Sequence, residues 1–194
     1  MIEGKEKNRD KTIKIIDRKK FDNSWYKPGP FWKRTLWHYV SLIFFESGWF
    51  PFYKLKASLL RLFGAKVGKG LKMKPDVKIK YPWFLEIGDY VSIGEKVWID
   101  NLALVTLKDC VTVSQGAMLI TGNHNYKSEA FDLMTANIIV NEGAWLCTKS
   151  KVGPGVEIGR NVILSLSAVT TKNLKADGIY SGNPAVFVKT RVIE

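Results

Sequence analysis

The sequence contains few of the residues that cross-link small domains or bind metal ions. Among its 194 residues are two cysteines and two histidines. Cys110 and Cys147 show no paired spacing that indicates a disulfide bridge or a metal site, so we expect free thiols and a reducing compartment, the cytoplasm. The low histidine count excludes a zinc site built from several histidine ligands. We therefore expect no metal cofactor.

Acidic residues are scarce relative to basic ones. The chain has 30 Lys and Arg against 18 Asp and Glu, a net charge of +12. Such an excess is typical of proteins that bind nucleic acids, anionic lipids or phosphate-bearing ligands. No recognisable nucleic-acid-binding module accompanies it, so we expect no nucleic-acid partner. The N-terminal segment MIEGKEKNRDK lacks the apolar core of a signal peptide, which agrees with a cytoplasmic location.

Long apolar runs are missing as well. The run LWHYVSLIFFESGWF has 15 residues, whereas a membrane-spanning helix needs about 20. Pro30 and Gly48 mark the start and end of one predicted helix, and Pro51 and Gly64 mark those of a second. We assign both helices to an N-terminal region, residues 1–63, which begins with a weakly held arm that extends to about residue 20.

Two roles are open for these helices. They could cap the open end of the domain that follows. They could also anchor the protein at the inner surface of a membrane, with Trp32, Trp37 and Trp49 at headgroup level and lysines on anionic lipid. In the second helix the spacing predicts an apolar face opposite Lys54, Lys56 and Arg61. That face comprises Phe52, Leu55, Leu59, Leu62 and Phe63.

A six-residue repeat dominates the rest of the chain. Aliphatic residues recur six places apart, and a second small or aliphatic residue follows each of them except Leu119 by four places. The first set comprises Ile87, Ile93, Ile99, Leu107, Val113, Leu119, Val140, Leu146, Val152, Ile158 and Leu164. The second set comprises Val91, Val97, Ala103, Val111, Ala117, Ala144, Ser150, Val156, Val162 and Ala168. The spacing slips by two residues near Asn101 and is interrupted by residues 121–137.

This period predicts a mainly β domain, a parallel β-helix over residues 64–194 with a C-terminal tail. Each hexapeptide would supply one short strand and one corner, and stacked coils would share a core. A β-sandwich is disfavoured because its turn signals recur every 8 to 12 residues. Gly88, Gly94, Gly153 and Gly159 are predicted to occupy corners at positive φ. Function on such scaffolds lies in loops, which points to the loop 121–137.

Several motifs indicate which class of β-helix protein this is. They are ITGNH at the start of the loop, NEGAWLCTKSKVGPGVEIG, the terminal GNPA, and SWYKPGPFWKR near the N-terminus. With the repeat, they resemble the hexapeptide-repeat acyltransferases, in particular acetyltransferases of the colanic-acid biosynthesis type. The resemblance implies a left-handed parallel β-helix, a homotrimer, and transfer from acetyl-CoA to a sugar hydroxyl in a cleft between subunits. It leaves open whether the saccharide acceptor is lipid-linked.

The resemblance also implies roles for individual residues. His124 stands where the family has its catalytic base, and Asn101 matches an acceptor-side asparagine. The positions that match the CoA-binding site are Trp145 beside the pantetheine arm, Thr148 near the thioester carbonyl, Leu166 beside the pantetheine path, and Lys172 and Lys189 facing the phosphates. Leu166 replaces a small residue that is common in the family.

The chemistry agrees with these roles. A sugar hydroxyl is a poor nucleophile at neutral pH and needs a base, a task that neutral imidazole performs well. A covalent route through Cys147 is disfavoured, because nothing near it in sequence lowers the pKa of its thiol. Two alternatives to sugar O-acetylation stay open. One is N-acetylation of an amino sugar or antibiotic, and the other is a non-catalytic β-helix that docks on a membrane or partner.

Overall fold

The computed structural model describes residues 14–194. It confirms the parallel β-helix and the N-terminal helical segment: each coil passes in turn through a first, a second and a third sheet. The first sheet contains β1 Lys66–Val67, β4 Leu85–Ile87, β7 Val105–Leu107, β12 Ile138–Val140 and β15 Glu157–Ile158. The second contains β2 Lys72–Met73, β5 Ser92–Ile93, β8 Thr112–Val113, β13 Trp145–Leu146, β16 Ile163–Leu164, β18 Gly178–Ser181 and the antiparallel edge strand β19 Val186–Thr190. The third contains β3 Lys78–Ile79, β6 Trp98–Asp100, β9 Met118–Ile120, β14 Lys151–Val152 and β17 Val169–Thr170.

The core is formed by the two residue sets of the repeat. Every member of the first set is buried, with at most 4% of its surface exposed. The second set is buried as well, except Ala103, which is half-buried because the repeat slips there. Each fully buried aliphatic side chain contributes roughly 1.5–3 kcal/mol. The narrow interior is therefore the main source of stability for the coil.

The glycines of the repeat have a different purpose from the one predicted. Gly88 and Gly94 do not have positive φ; the left-handed conformation falls two residues later, at Tyr90 and Lys96. A Cβ atom on Gly88 would lie 2.8 Å from the Asp109 nitrogen on the next coil, and Gly94 is similarly close to backbone. Glycine is thus required for close approach between coils and not for a positive φ.

The irregular segments leave the coil mainly at one of its three corners. We call the turn from the second sheet to the third the second corner, and the turn from the third sheet back to the first the third corner. The third corner holds a 3-10 turn at Pro82–Phe84, the slip at Asn101 and the loop 121–137. Extra residues are accommodated there without disturbing the stacked strands.

Asn101 stabilises this corner from inside. Its side chain is fully buried, and its Oδ1 accepts hydrogen bonds from the N–H groups of Lys80 and Tyr81 at 3.2 and 3.1 Å. Its Nδ2 donates to the carbonyls of Tyr81 and Phe84 at 2.6 and 3.0 Å. The prediction that Asn101 contacts the saccharide acceptor is therefore wrong for this structure, because its side-chain amide is enclosed and all of its hydrogen-bonding groups are engaged.

Two helices cover the first coil, as the capping interpretation predicts. They are α1 Phe31–Phe44, preceded by Pro30, and α2 Tyr53–Leu62. The indole of Trp37 donates to the Ile79 carbonyl at 2.8 Å, and Val77 N–H donates to the Phe45 carbonyl at 3.0 Å. The helices thus share a continuous core with the coil.

The predicted apolar face of α2 is largely wrong. The buried residues of this helix are Lys56, Ala57 and Leu60, whereas Leu55 and Leu62 are exposed. The Lys56 ammonium donates to the Lys74 carbonyl at 3.1 Å, and burial lowers the pKa of this lysine. A lysine can occupy a core position when its aliphatic stem packs against apolar neighbours and its ammonium group reaches a backbone carbonyl.

We predict that Asn101→Ala destabilises the fold by about 2–4 kcal/mol, because it leaves a cavity and removes the partner of the Tyr81 N–H and of the Phe84 carbonyl. The measurement is urea unfolding followed by circular dichroism at fixed protein concentration. Asn137→Ala is the matched control: Asn137 is an exposed residue at the same corner, and its side chain accepts one hydrogen bond, from Leu104 N–H. Equal losses for the two variants would contradict the assigned role of Asn101.

Candidate active site

His124 lies on a short hairpin that projects from the third corner. The hairpin pairs β10 Gly122–His124 with β11 Leu133–Thr135 in antiparallel register. Its base is fastened to the preceding coil, since the Thr121 hydroxyl donates to the Asp100 carbonyl at 3.0 Å and Ala136 N–H donates to the Thr121 carbonyl at 3.0 Å. The loop predicted to carry function is thus an ordered projection.

The ring of His124 is oriented by Phe131. Its Nδ1 lies 2.9 Å from the Phe131 carbonyl oxygen, and the two rings stack at 4.5 Å with an interplanar angle of 9°. A carbonyl can only accept a hydrogen bond, so Nδ1 carries the proton. In the neutral ring, Nε2 is then the unprotonated nitrogen, available to accept a proton from a substrate.

The two acidic residues of the loop are engaged elsewhere. The Asp132 carboxylate accepts a hydrogen bond from the Ser128 hydroxyl at 2.7 Å. Glu129 pairs with the Lys20 ammonium at 2.7 Å. The group that orients the histidine is therefore a backbone carbonyl, which the residue types alone do not reveal.

The segment before the helices lies against this hairpin. Asp17 N–H donates to the Glu129 carbonyl at 2.8 Å. The Arg18 guanidinium lies 5.0 Å from the centre of the Phe21 ring and 5.5 Å from that of Phe131, and Phe21 lies 6.0 Å from the His124 ring. The prediction of a weakly held arm is thus wrong for residues 17–20, while residues 1–13 lie outside the described part of the chain.

The predicted donor-site residues gather at the second corner. Gln115, Thr148 and Leu166 occupy equivalent places on successive coils, as the bonds from Lys149 N–H to the Gln115 carbonyl and from Ser167 N–H to the Thr148 carbonyl show. The indole of Trp145 donates to the Ser114 hydroxyl at 2.8 Å, so the ring lies beside this column. Trp145 and Leu166 are both exposed.

The two lysines lie apart from each other. Lys189 is opposite Ile179 on the edge of the second sheet, which also carries Trp145. Lys172 is exposed at the third corner, where the Thr170 hydroxyl donates to its carbonyl at 2.7 Å. Within one chain, the structure therefore joins Trp145, Thr148, Leu166 and Lys189 along one side and places Lys172 and His124 at another corner.

A groove between α1 and the third sheet adjoins the third corner. It has a volume of about 360 Å³ and is lined by both aromatic and charged side chains. Its lining includes Tyr81, Trp98, Lys80 and Asp100, with the last two paired at 2.9 Å. His38 also lines it and is exposed. Among the described residues, no three His, Cys, Asp or Glu side chains form a group that could hold a metal ion.

Comparison with known proteins places the chain in a family. No protein-family profile matches it. WcaF of Escherichia coli (strain K12), named for acetyl transfer in colanic acid biosynthesis, is 39% identical over 162 residues, 82% of this chain and 88% of that protein. Galactoside O-acetyltransferase of the same organism is 23% identical over 137 residues, 69% of this chain and 68% of that enzyme.

A solved structure agrees. A hexapeptide-repeat acetyltransferase of Vibrio cholerae O1 biovar eltor, complexed with acetyl-coenzyme A, matches with a TM-score of 0.74 at 18% identity, over 83% of this chain and 88% of that one. The chain belongs to the family of hexapeptide-repeat acetyltransferases, as the repeat and its motifs predict.

We expect Phe21→Ala to loosen the hairpin, because it removes the ring that lies between Arg18 and His124. Hydrogen exchange followed by mass spectrometry should show faster exchange of amides in residues 122–135, with unfolding midpoint unchanged. Trp25→Ala is the control, since Trp25 lies in the same segment and contacts the Tyr26 ring. If the two variants exchange alike in the hairpin, the arm does not hold it.

Proposed function

We propose that this protein is an acetyl-CoA-dependent O-acetyltransferase that acetylates a sugar hydroxyl during the biosynthesis of an exopolysaccharide or other surface polysaccharide. The observation that carries the proposal is the contact between His124 Nδ1 and the Phe131 carbonyl, because it leaves Nε2 free to act as a base. The names of WcaF and galactoside O-acetyltransferase support a saccharide acceptor. We expect the reaction in the cytoplasm, where acetyl-CoA is made.

The proposed transfer is direct. His124 Nε2 takes the proton of the acceptor hydroxyl as its oxygen attacks the thioester carbonyl carbon, which gives a tetrahedral oxyanion. When the C–S bond breaks, CoA leaves as a thiolate and takes the proton from the imidazolium. Within the described residues, the Thr148 N–H donates no hydrogen bond. This group is therefore available to stabilise the oxyanion.

Cys147 supports direct transfer over a covalent acyl-enzyme. Burial raises the pKa of its thiol. A higher pKa leaves less thiolate at neutral pH, and the thiolate is the nucleophilic form. The thiol is therefore poorly suited to carrying an acetyl group.

The active site is proposed to form between two copies of the chain. His124 projects from the third corner, whereas Thr148 and Leu166 lie at the second corner, at the other end of the third sheet. Trp145 lies beside them on the second sheet. In a homotrimer, the third corner of one copy can meet the second corner of its neighbour. We propose that Lys189 and Lys172, from either side of this cleft, contact the phosphates of CoA.

The base assignment predicts a loss of turnover for His124→Ala of about 10²–10⁴-fold, the usual contribution of a positioned base. Acetyl-CoA affinity should change little, because the proposed donor contacts are elsewhere. The assay follows release of the CoA thiol with saccharide acceptors and, in parallel, amino-sugar acceptors. Cys147→Ala should stay within a few-fold of the parent. Comparable turnover for His124→Ala and the parent would exclude His124 as the base, and acetylation confined to amines would exclude O-acetylation.

The shared site predicts complementation between inactive subunits. His124→Ala removes the base, and Trp145→Glu places a carboxylate where the donor phosphates and pantetheine are expected. Trimers formed by co-expression of the two variants should regain about a quarter of the parental activity, because random assortment leaves that share of clefts intact. Light scattering confirms the assembly. If mixed trimers stay as inactive as each parent variant, the site lies within one copy.

A further inference from the structure

The outward face of α1 is largely apolar. Its outward side chains, 43–75% exposed, are Phe31, Trp32, Leu36, Tyr39, Leu42 and Ile43. At about 100° per residue they share one side of the helix, interrupted by Thr35 and His38. The opposite side supplies the buried Trp37 and Ser41. A helix on the surface of a soluble protein normally presents charged and polar residues to water, whereas α1 presents apolar ones.

The apolar surface continues beyond the end of α1. Phe44, Phe50 and Phe52 form edge-to-face pairs at 5.0 and 5.2 Å, which link the end of α1 to the start of α2. Trp49 and Phe52 are more than 60% exposed. We call the whole surface the outer helix face, defined by the six outward residues of α1 with Trp49, Phe52, Leu55 and Leu62. A contiguous apolar patch of this kind marks an interaction site.

Basic residues border this face. Lys54 on α2 and Lys69 and Lys72 on the first coils line one groove beside α2. All three are exposed. The whole chain has a net charge of +12. Aromatic and aliphatic side chains next to lysines match the boundary between acyl chains and anionic headgroups.

We propose that the outer helix face binds the surface of a bilayer that contains anionic lipid. Trp32, Tyr39 and Trp49 suit the interface, because each has an apolar body and a polar edge. Binding is peripheral: among residues 14–194 no helix has the length and apolar character needed to cross a membrane, and the 14 residues of α1 extend only about 21 Å. The inference is independent of the acetyl-transfer chemistry. It accounts for the exposed aromatic residues, which capping of the coil leaves unexplained.

Vesicle flotation tests the proposal. The full chain should float with vesicles of phosphatidylcholine that contain about 30% phosphatidylserine, because anionic lipid attracts basic residues to the membrane surface. Its apparent affinity should be at least about tenfold lower for pure phosphatidylcholine, and should fall as salt rises. The variant Trp32→Ser/Leu36→Ser/Ile43→Ser should lose binding about tenfold or more, with its unfolding midpoint retained because these side chains are exposed.

The test includes a matched control, and three outcomes would overturn the proposal. Val188→Ser/Val192→Ser/Ile193→Ser removes three equally exposed apolar residues near the C-terminus and should float like the parent. Equal flotation of the parent on neutral and anionic vesicles, or none on either, overturns the proposal. So does a change of oligomeric state in the α1 variant, by light scattering, with flotation unchanged, because the face is then covered by another copy.

Discussion

Successive coils are joined by backbone hydrogen bonds, and the distance of about 4.8 Å that these bonds impose governs the rest of the molecule. At that distance a residue inside the coil touches its equivalents above and below, so the interior admits only small and aliphatic side chains. Gly88 and Gly94 show how strict the limit is, since a Cβ atom at either would meet the backbone of the next coil. Inserted residues cannot enter the strands, and the third corner is where they leave.

This constraint explains why the third corner carries the candidate chemistry. The slip at Asn101 and the hairpin of His124 occupy the same corner on neighbouring coils, joined through Thr121 and Asp100. Asn101 is buried at the slip and hydrogen-bonds the backbone of residues 80–84, the irregular turn of the preceding coil at the same corner. A polar side chain in the core is tolerated there because every one of its hydrogen-bonding groups is used.

The sequence was informative where contacts are periodic. The period of six fixed the core set, the three-sheet coil and the interruption that holds His124, because each coil repeats the environment of the last. It failed where contacts lie outside the repeat. The contact of the Phe131 carbonyl with His124 depends on how the hairpin folds, and the approach of the Arg18 side chain to Phe131 depends on how the arm folds back. Neither contact has a periodic signature. The prediction of the buried face of α2 was wrong for a related reason. The Lys56 ammonium donates to the Lys74 carbonyl, a contact that an amphipathic pattern does not predict.

The same chain segment touches the hairpin and leads into α1. Between Phe21 and Phe31 it is held at Tyr26, whose hydroxyl donates to the Leu102 carbonyl at 2.8 Å, and at Pro28, whose carbonyl accepts from the Trp83 indole at 3.1 Å. Pro28 and Pro30 stiffen this short strap, since each fixes its own φ. Leu102 and Trp83 both belong to the third corner, so this one corner holds the strap as well as the hairpin. The start of α1 and the hairpin of His124 are therefore positioned by the same few residues of the coil.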